Sequence, residues 1–323
     1  MELILIFDII LLIVGFILII KGADYFVDGA SNVAYNFNIP TVIVGLTIVA
    51  FGTSAPELAT SIAFNVGKSG GVSLGNIIGS NIFNILADIG ISALLGTLTV
   101  DKKLIKRDFP FLVISSVGFL LIALKLPEIS SLCGAIFLII IITYVYFLVQ
   151  EAKQDKEAMS EKIEVKFPIK KAWAWLGIGL IGIVIGSIFV EKSLNTIIDA
   201  YKLNQLLMGA TVVAIATSMP ELLASINALK KGDTGMVIGN ALGSSIFNIL
   251  FILGVSSIFN PIKIEANVHF DIFFMALVTI IVAAFAYTKN EIDKKEGIIL
   301  VILYIIYLAY IIMKYTNNFF FIF

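Results

Sequence analysis

The chain alternates long apolar runs with short polar clusters, and the runs have membrane length. About 20 predominantly apolar residues span a bilayer as a helix. Hydropathy and the breakers between runs predict ten such helices, near 3–22, 41–66, 72–97, 109–124, 129–150, 172–192, 205–229, 235–259, 268–288 and 297–315. They form two sets of five, in 1–150 and 172–323, joined by a polar linker at 151–171. The first run lacks a positive leading segment and continues into more membrane, so it is expected to stay as a helix rather than be cleaved. The fold class expected is an all-α integral membrane protein.

The two sets share a sequence. Residues 45–90 and 209–254 align without a gap, 164 residues apart, and match at 22 of 46 positions. The common core is T-S-x-P-E followed by G-N-x-x-G-S-x-I-F-N-I-L, from Thr53 to Glu57 with Gly75 to Leu86, and from Thr217 to Glu221 with Gly239 to Leu250. An odd number of helices per repeat makes the second repeat enter the membrane inverted, an arrangement common among secondary transporters.

Composition agrees with the apolar pattern. Hydrophobic residues are 59% of the chain and charged residues only 14%, with a mean hydropathy of +1.03. A net charge of −1 argues against nucleic acid as a partner. One cysteine, Cys133, and one histidine, His269, rule out a disulfide framework or a His/Cys zinc site and read as incidental. No cofactor and no obligate protein partner are expected.

Charge also sets direction. The loops after helices 3, 5, 7 and 9 hold Lys102, Lys103, Lys106, Arg107, Lys153, Lys156, Lys162, Lys166, Lys170, Lys171, Lys230, Lys231, Lys289, Lys294 and Lys295. With Lys21, that is 16 of the 22 basic residues; Lys68, Lys125, Lys192, Lys202, Lys263 and Lys314 fall on the other side. The basic side should be cytoplasmic, placing both termini outside a plasma membrane. The 151–171 linker mixes six lysines with five acids and reads as solvated chain.

The repeated core plants one glutamate in each half at membrane depth, where an ionised carboxylate is costly and marks function. Pro56 has no N–H, so the carbonyl of Gly52 loses its helical partner and the helix opens there. Freed carbonyls, Glu57 and the hydroxyls of Thr53 and Ser54 make an oxygen-only set suited to Na⁺ or Ca²⁺. Glu221, Thr217 and Ser218 repeat it. Ser80 and Asn84, one helical turn apart, and their counterparts Ser244 and Asn248 could complete a site about a pseudo-two-fold axis. Serine and asparagine in membranes also serve plain helix packing, so singly they are weaker candidates than the glutamates.

The remaining acids divide by position. Asp8 and Asp271 lie near helix ends and are expected at the water interface, while Asp24 and Asp28 should open the first cytoplasmic turn. Asp88 is different. It sits one turn beyond Asn84, its counterpart is Ile252, and it reads as a protonated buried acid, part of an ion path or an extra ligand.

At these residues the chain resembles the sodium/calcium exchanger family of the cation/calcium antiporter superfamily, of prokaryotic type, over essentially its whole length. The resemblance implies Glu57 and Glu221 as ligands of Ca²⁺ and Na⁺. It further implies ligand roles for Ala50, Thr53, Ser54, Ala214, Thr217 and Ser218, for Ser80 and Ser244 toward sodium, and for Asn84 and Asn248. Two departures stand out. Some members carry an aspartate at one of the last two positions, whereas both are asparagine here, which makes potassium cotransport less expected. Gly52 is also matched by Ala216, so the second signature lacks its glycine.

The function expected is therefore electrogenic exchange of sodium for calcium by alternating access. The rival is a proton/cation antiporter, since two acids with only neutral partners could carry protons and Asp88 adds a third. A channel fits the inverted repeat and broken helices less well. An intramembrane hydrolase would need a nucleophile–base pair or metal cluster that the sequence does not supply.

Overall fold

The computed structural model describes residues 2–36, 50–154, 167–230, 232 and 234–315. Helices dominate. They are α1 (Glu2–Asn36), α2 (Ala50–Thr53), α3 (Ala55–Val66), α4 (Gly70–Leu95), α5 (Leu104–Lys125), α6 (Ser131–Gln154), α7 (Ile169–Tyr201), α8 (205–217), α9 (Met219–Lys230), α10 (Thr234–Phe259), α11 (His269–Lys289) and α12 (Lys294–Tyr315). Among the described residues nine segments are long and apolar enough to cross a membrane, with α8 and α9 counted together as 205–230. The remaining expected helix, 41–66, is represented by α2 and α3; its residues 41–49 lie outside the described residues, as does most of the 151–171 linker.

Several boundaries differ from expectation. The first helix runs on to Asn36 rather than ending at 22, so Asp24 and Asp28 lie within α1 and not in a turn. Gly22 does not end it because the missing side chain is used for contact. A Cβ there would sit 2.8 Å from the carbonyl oxygen of Gly179, where α1 lies along α7. The sixth expected helix, 172–192, extends over Ile169–Tyr201. Lys106 and Arg107, expected in a loop, fall in the opening turns of α5, where Arg107 pairs with Asp108 at 2.9 Å and with Glu151 of α6.

Two acids also differ. Asp8 is buried, and Asp271 is fully buried rather than at the water interface. Asp271 is compensated by Lys314 Nζ at 2.7 Å, a partner 43 residues away that local sequence could not reveal.

The central layer is α3, α4, α8, α9 and α10, wrapped by the more lipid-facing α5, α6, α11 and α12. The 18-residue apolar window of α4 is 89% buried, against 22% for that of α6. Helix α4 packs on α8 so closely that a Cβ at Gly209 would lie 2.2 Å from the carbonyl of Val72. Asn65, near the end of α3, donates through Nδ2 to the carbonyls of Ser256 and Asn260 at 2.6 Å each, pinning α3 to the end of α10.

Two short antiparallel ladders are the strands among the described residues. β1 (Leu98–Thr99) pairs with β4 (Glu291–Ile292), and β2 (Glu128–Ile129) pairs with β3 (Ile262–Lys263). Each ladder joins one half of the sequence to the other. β3 follows β1 by the 164 residues that separate the two glutamates.

Candidate functional site

Both T-S-x-P-E segments break their helices at the serine. Ser54 stands between α2 and α3 with φ −85° and ψ 3°, and Ser218 between α8 and α9 with φ −87° and ψ 3°. The prolines that follow cannot donate to the turn before them, so each new helix begins there. Glu57 and Glu221 fall in the first turns of α3 and α9, where a helix N-terminus favours a negative charge. Both side chains are fully buried.

The breaks face each other, and each hydroxyl serves the other half's acid. Ser218 Oγ donates to Glu57 Oε1 at 2.9 Å, and Ser54 Oγ to Glu221 Oε1 at 3.4 Å. The two carboxylates thus flank the same pair of breaks. Their other oxygens, Glu57 Oε2 and Glu221 Oε2, are buried without a hydrogen-bond partner among the described residues.

Around this pair the structure brings together most, though not all, of the residues expected from sequence. Thr217 Oγ1 lies 3.0 Å from the carbonyl of Val213 and 3.2 Å from Asn76 Oδ1. Ser80 Oγ reaches the same Asn76 oxygen at 3.5 Å. Thr53 is buried beside the break, and Ala50 is the first described residue of α2. The carbonyl of Ala214 accepts from the Ser218 amide at 3.0 Å, which occupies one of its two lone pairs.

Asn84, Asn248 and Ser244 are buried, but no hydrogen bond among the described residues ties them to the network. Both ends of each asparagine amide lack a partner among the described residues. The two asparagines lie on matching π-helical turns, Phe83–Asp88 in α4 and Asn248–Ile252 in α10. Such turns interrupt the regular helix ladder and are frequent at functional sites.

Asn76 and Asn240 are the residues that sequence reasoning passed over. Asn76 Nδ2 donates to Ser61 Oγ at 3.0 Å and reaches the backbone carbonyl of Glu57 at 3.5 Å. Asn240 Nδ2 does the same for Ser225 Oγ at 3.2 Å and the carbonyl of Glu221 at 3.1 Å. Each asparagine therefore holds the backbone of its own repeat's glutamate. Their identity in both halves of the alignment was the available signal.

Chemically, the assembly is two carboxylates, several hydroxyls and unsatisfied amides in an apolar surround. A buried polar atom left unpaired costs free energy, and a hard cation satisfies oxygens of this kind. Among the described residues, no three His, Cys, Asp or Glu side chains converge, so the donors beyond the glutamates are neutral.

Comparison with known proteins gives a consistent result. A model of the family described as sodium/calcium exchanger protein matches residues 7–150 and 171–313, one stretch in each half. The sodium/calcium exchanger MaX1 of Methanosarcina acetivorans is 31% identical, covering 93% of this chain and 97% of its own. The inner membrane protein YrbG of Escherichia coli is 31% identical over 93% of this chain and 95% of its own. A solved structure of the sodium-calcium exchanger NCX_Mj, soaked with Na⁺ and Sr²⁺, superposes with a TM-score of 0.68 at 32% identity, covering 94% of this chain and 98% of that one. The paired breaks, the facing glutamates and these matches place the chain in the sodium/calcium exchanger protein family.

Proposed function

We propose that the chain is a secondary antiporter that exchanges Na⁺ for Ca²⁺ across the plasma membrane by alternating access. Its ten helices form two inverted five-helix repeats, with both termini outside and the 151–171 linker in the cytoplasm. The observation that carries the reading is the reciprocal pairing of Ser218 with Glu57 and Ser54 with Glu221, which leaves one oxygen of each buried carboxylate without a partner among the described residues. The sodium and calcium named for MaX1 and NCX_Mj are the cargo this site is proposed to hold.

The chemistry follows from charge. Glu57 and Glu221 balance one Ca²⁺ or a set of Na⁺ ions. Thr53, Ser54, Ser80 and their counterparts Thr217, Ser218 and Ser244 supply neutral oxygens, as do Asn84, Asn248 and the carbonyls of Ala50 and Ala214. Without a cation the two acids repel in a low-dielectric surround. The empty transporter is therefore held back from reorienting, and exchange wins over leak.

A mostly apolar cleft lies beside the site. Half-open and about 550 Å³ in volume, it lies between α3 and α7 beside their contact and is lined by Phe26, Phe51, Leu58, Leu180, Ile183 and Glu191. Its walls offer little polar grip, which suits sliding of α1 and α7 along the core.

The test is Ca²⁺ uptake into Na⁺-loaded proteoliposomes at matched pH, with a pH gradient as control. Uptake that needs internal Na⁺ and is lost in Glu57→Gln and Glu221→Gln is the expected result. Uptake driven by the pH gradient and indifferent to Na⁺ would refute it.

A further inference from the structure

Asp88 takes no part in the scheme above, yet it is fully buried at the end of the π-helical turn of α4. It stands one turn beyond Asn84, toward the end of α4 that leads to Lys102 and Lys103. Each carboxylate oxygen accepts from a buried serine: Oδ2 from Ser225 Oγ at 2.8 Å, and Oδ1 from Ser92 Oγ at 3.4 Å. Ser225 Oγ in turn accepts from Asn240 Nδ2 at 3.2 Å, the amide that also holds the backbone of Glu221. Asp88 is thus linked to the backbone carbonyl of Glu221 through two side chains.

No basic side chain pairs with Asp88 among the described residues. The helices packed against its turn supply no compensating charge. α10 carries no titratable side chain, and α9 presents the like-charged Glu221 and ends on the exposed Lys230. Asp271 of α11 is engaged by Lys314, and Glu296 of α12 by the Asp293 amide and Lys289. Tyr304 of α12 packs on Phe83. Two hydroxyl dipoles ease a buried carboxylate but do not cancel its charge, so a cation is required.

The other half shows that packing does not demand an acid here. Ser61 and Asn76 repeat Ser225 and Asn240, with the same 15-residue hydrogen bond between them. The position matching Asp88 is Ile252, buried in the apolar core. The feature is one-sided, and it lies on the lysine-rich side.

We propose that Asp88, Ser92 and Ser225 form an accessory site for one monovalent cation, Na⁺ or H⁺, coupled to the central site through Asn240. One carboxylate with two neutral hydroxyls balances a single positive charge and is too weak a set for Ca²⁺. The coupling rests on the antiporter reading, whereas the binding does not.

The test uses the full chain and two variants, Asp88→Asn and Asp88→Ile; the second copies the residue of the other half and guards against failure to fold. Initial Ca²⁺ uptake into proteoliposomes is measured against internal Na⁺ at fixed pH, then against pH at fixed Na⁺. Both variants should still exchange. If the accessory cation is Na⁺, the Hill coefficient for Na⁺ falls by about one. If it is H⁺, the Na⁺ curve is kept and the pH dependence shown by the unsubstituted chain flattens in both variants. Curves that overlay the unsubstituted chain in both series overturn the proposal.

A second readout separates this from failure of the antiporter reading. Infrared difference spectra of the purified, Ca²⁺-saturated chain, minus those of Asp88→Asn, should show a carboxyl band that responds to Na⁺ or to pH. A band indifferent to both overturns the site even if exchange is active. A responsive band in a chain that shows no Na⁺-driven uptake would keep the site and remove the antiporter.

Discussion

Ser218 donates to Glu57 across 161 residues of chain at 2.9 Å, while its counterpart Ser54 reaches Glu221 only at 3.4 Å. The pairing is reciprocal but unequal. A hydrogen bond to a charged group contributes roughly 1.5–3 kcal/mol, and that contribution weakens as the contact lengthens. Ser218→Ala should therefore raise the Ca²⁺ concentration for half-maximal uptake by roughly tenfold or more, and Ser54→Ala by less. Equal shifts in a Ca²⁺ titration of uptake would show that the difference between the two contacts has no functional weight.

Asn76 and Asn240 give the next prediction. Neither needs to touch an ion to matter, because each fixes the backbone that carries a glutamate. Groups that orient ligands typically change metal affinity by about 10–100-fold when removed. Asn76→Leu should weaken Ca²⁺ dependence to that extent while the protein still folds, as judged by its elution and thermal melt in detergent. Unchanged affinity in a folded Asn76→Leu protein would leave these amides a packing role alone.

These residues mark where sequence stopped being informative. The glutamates and the helix-breaking prolines could be read directly, because proline removes a helical donor and an acid repeated at membrane depth without a basic partner marks function. Asn76 and Asn240 stood in the repeated pattern, but their partners are backbone carbonyls 19 residues away, which no side-chain pattern reveals. The length of α1 was hidden for a similar reason. The expected helix stops at Gly22 until α7 is placed against it. Arg107 was counted with a loop because its partner Glu151 becomes a neighbour only once α5 and α6 pack.

The Asp271–Lys314 pair tests how a buried charge is tolerated away from the ion site. Asp271 is 1% exposed in its side chain and Lys314 17%. Removing one partner of a buried pair leaves the other uncompensated, at a cost of about 3–5 kcal/mol. Lys314→Met should lower the melting temperature of the purified protein clearly, and Asp271→Asn with Lys314→Met should recover much of the loss. If the double variant melts no higher than Lys314→Met, the pair is not what α11 and α12 depend on.

The last prediction concerns charge movement. Two carboxylates balance one Ca²⁺, whereas a load of three Na⁺ leaves the occupied site with one extra positive charge. Exchange of three Na⁺ outward for one Ca²⁺ inward then carries a net positive charge out of a Na⁺-loaded vesicle. An inside-positive potential should favour that direction by about 2.3 kcal/mol per 100 mV for each charge moved. At equilibrium this corresponds to roughly a 50-fold higher Ca²⁺ accumulation ratio. The potential can be set with K⁺ gradients and valinomycin, and Ca²⁺ accumulation followed at each value. Accumulation that does not change with potential would fix the exchange at two Na⁺ per Ca²⁺, with Glu57 and Glu221 neutralised to the same extent by either cargo.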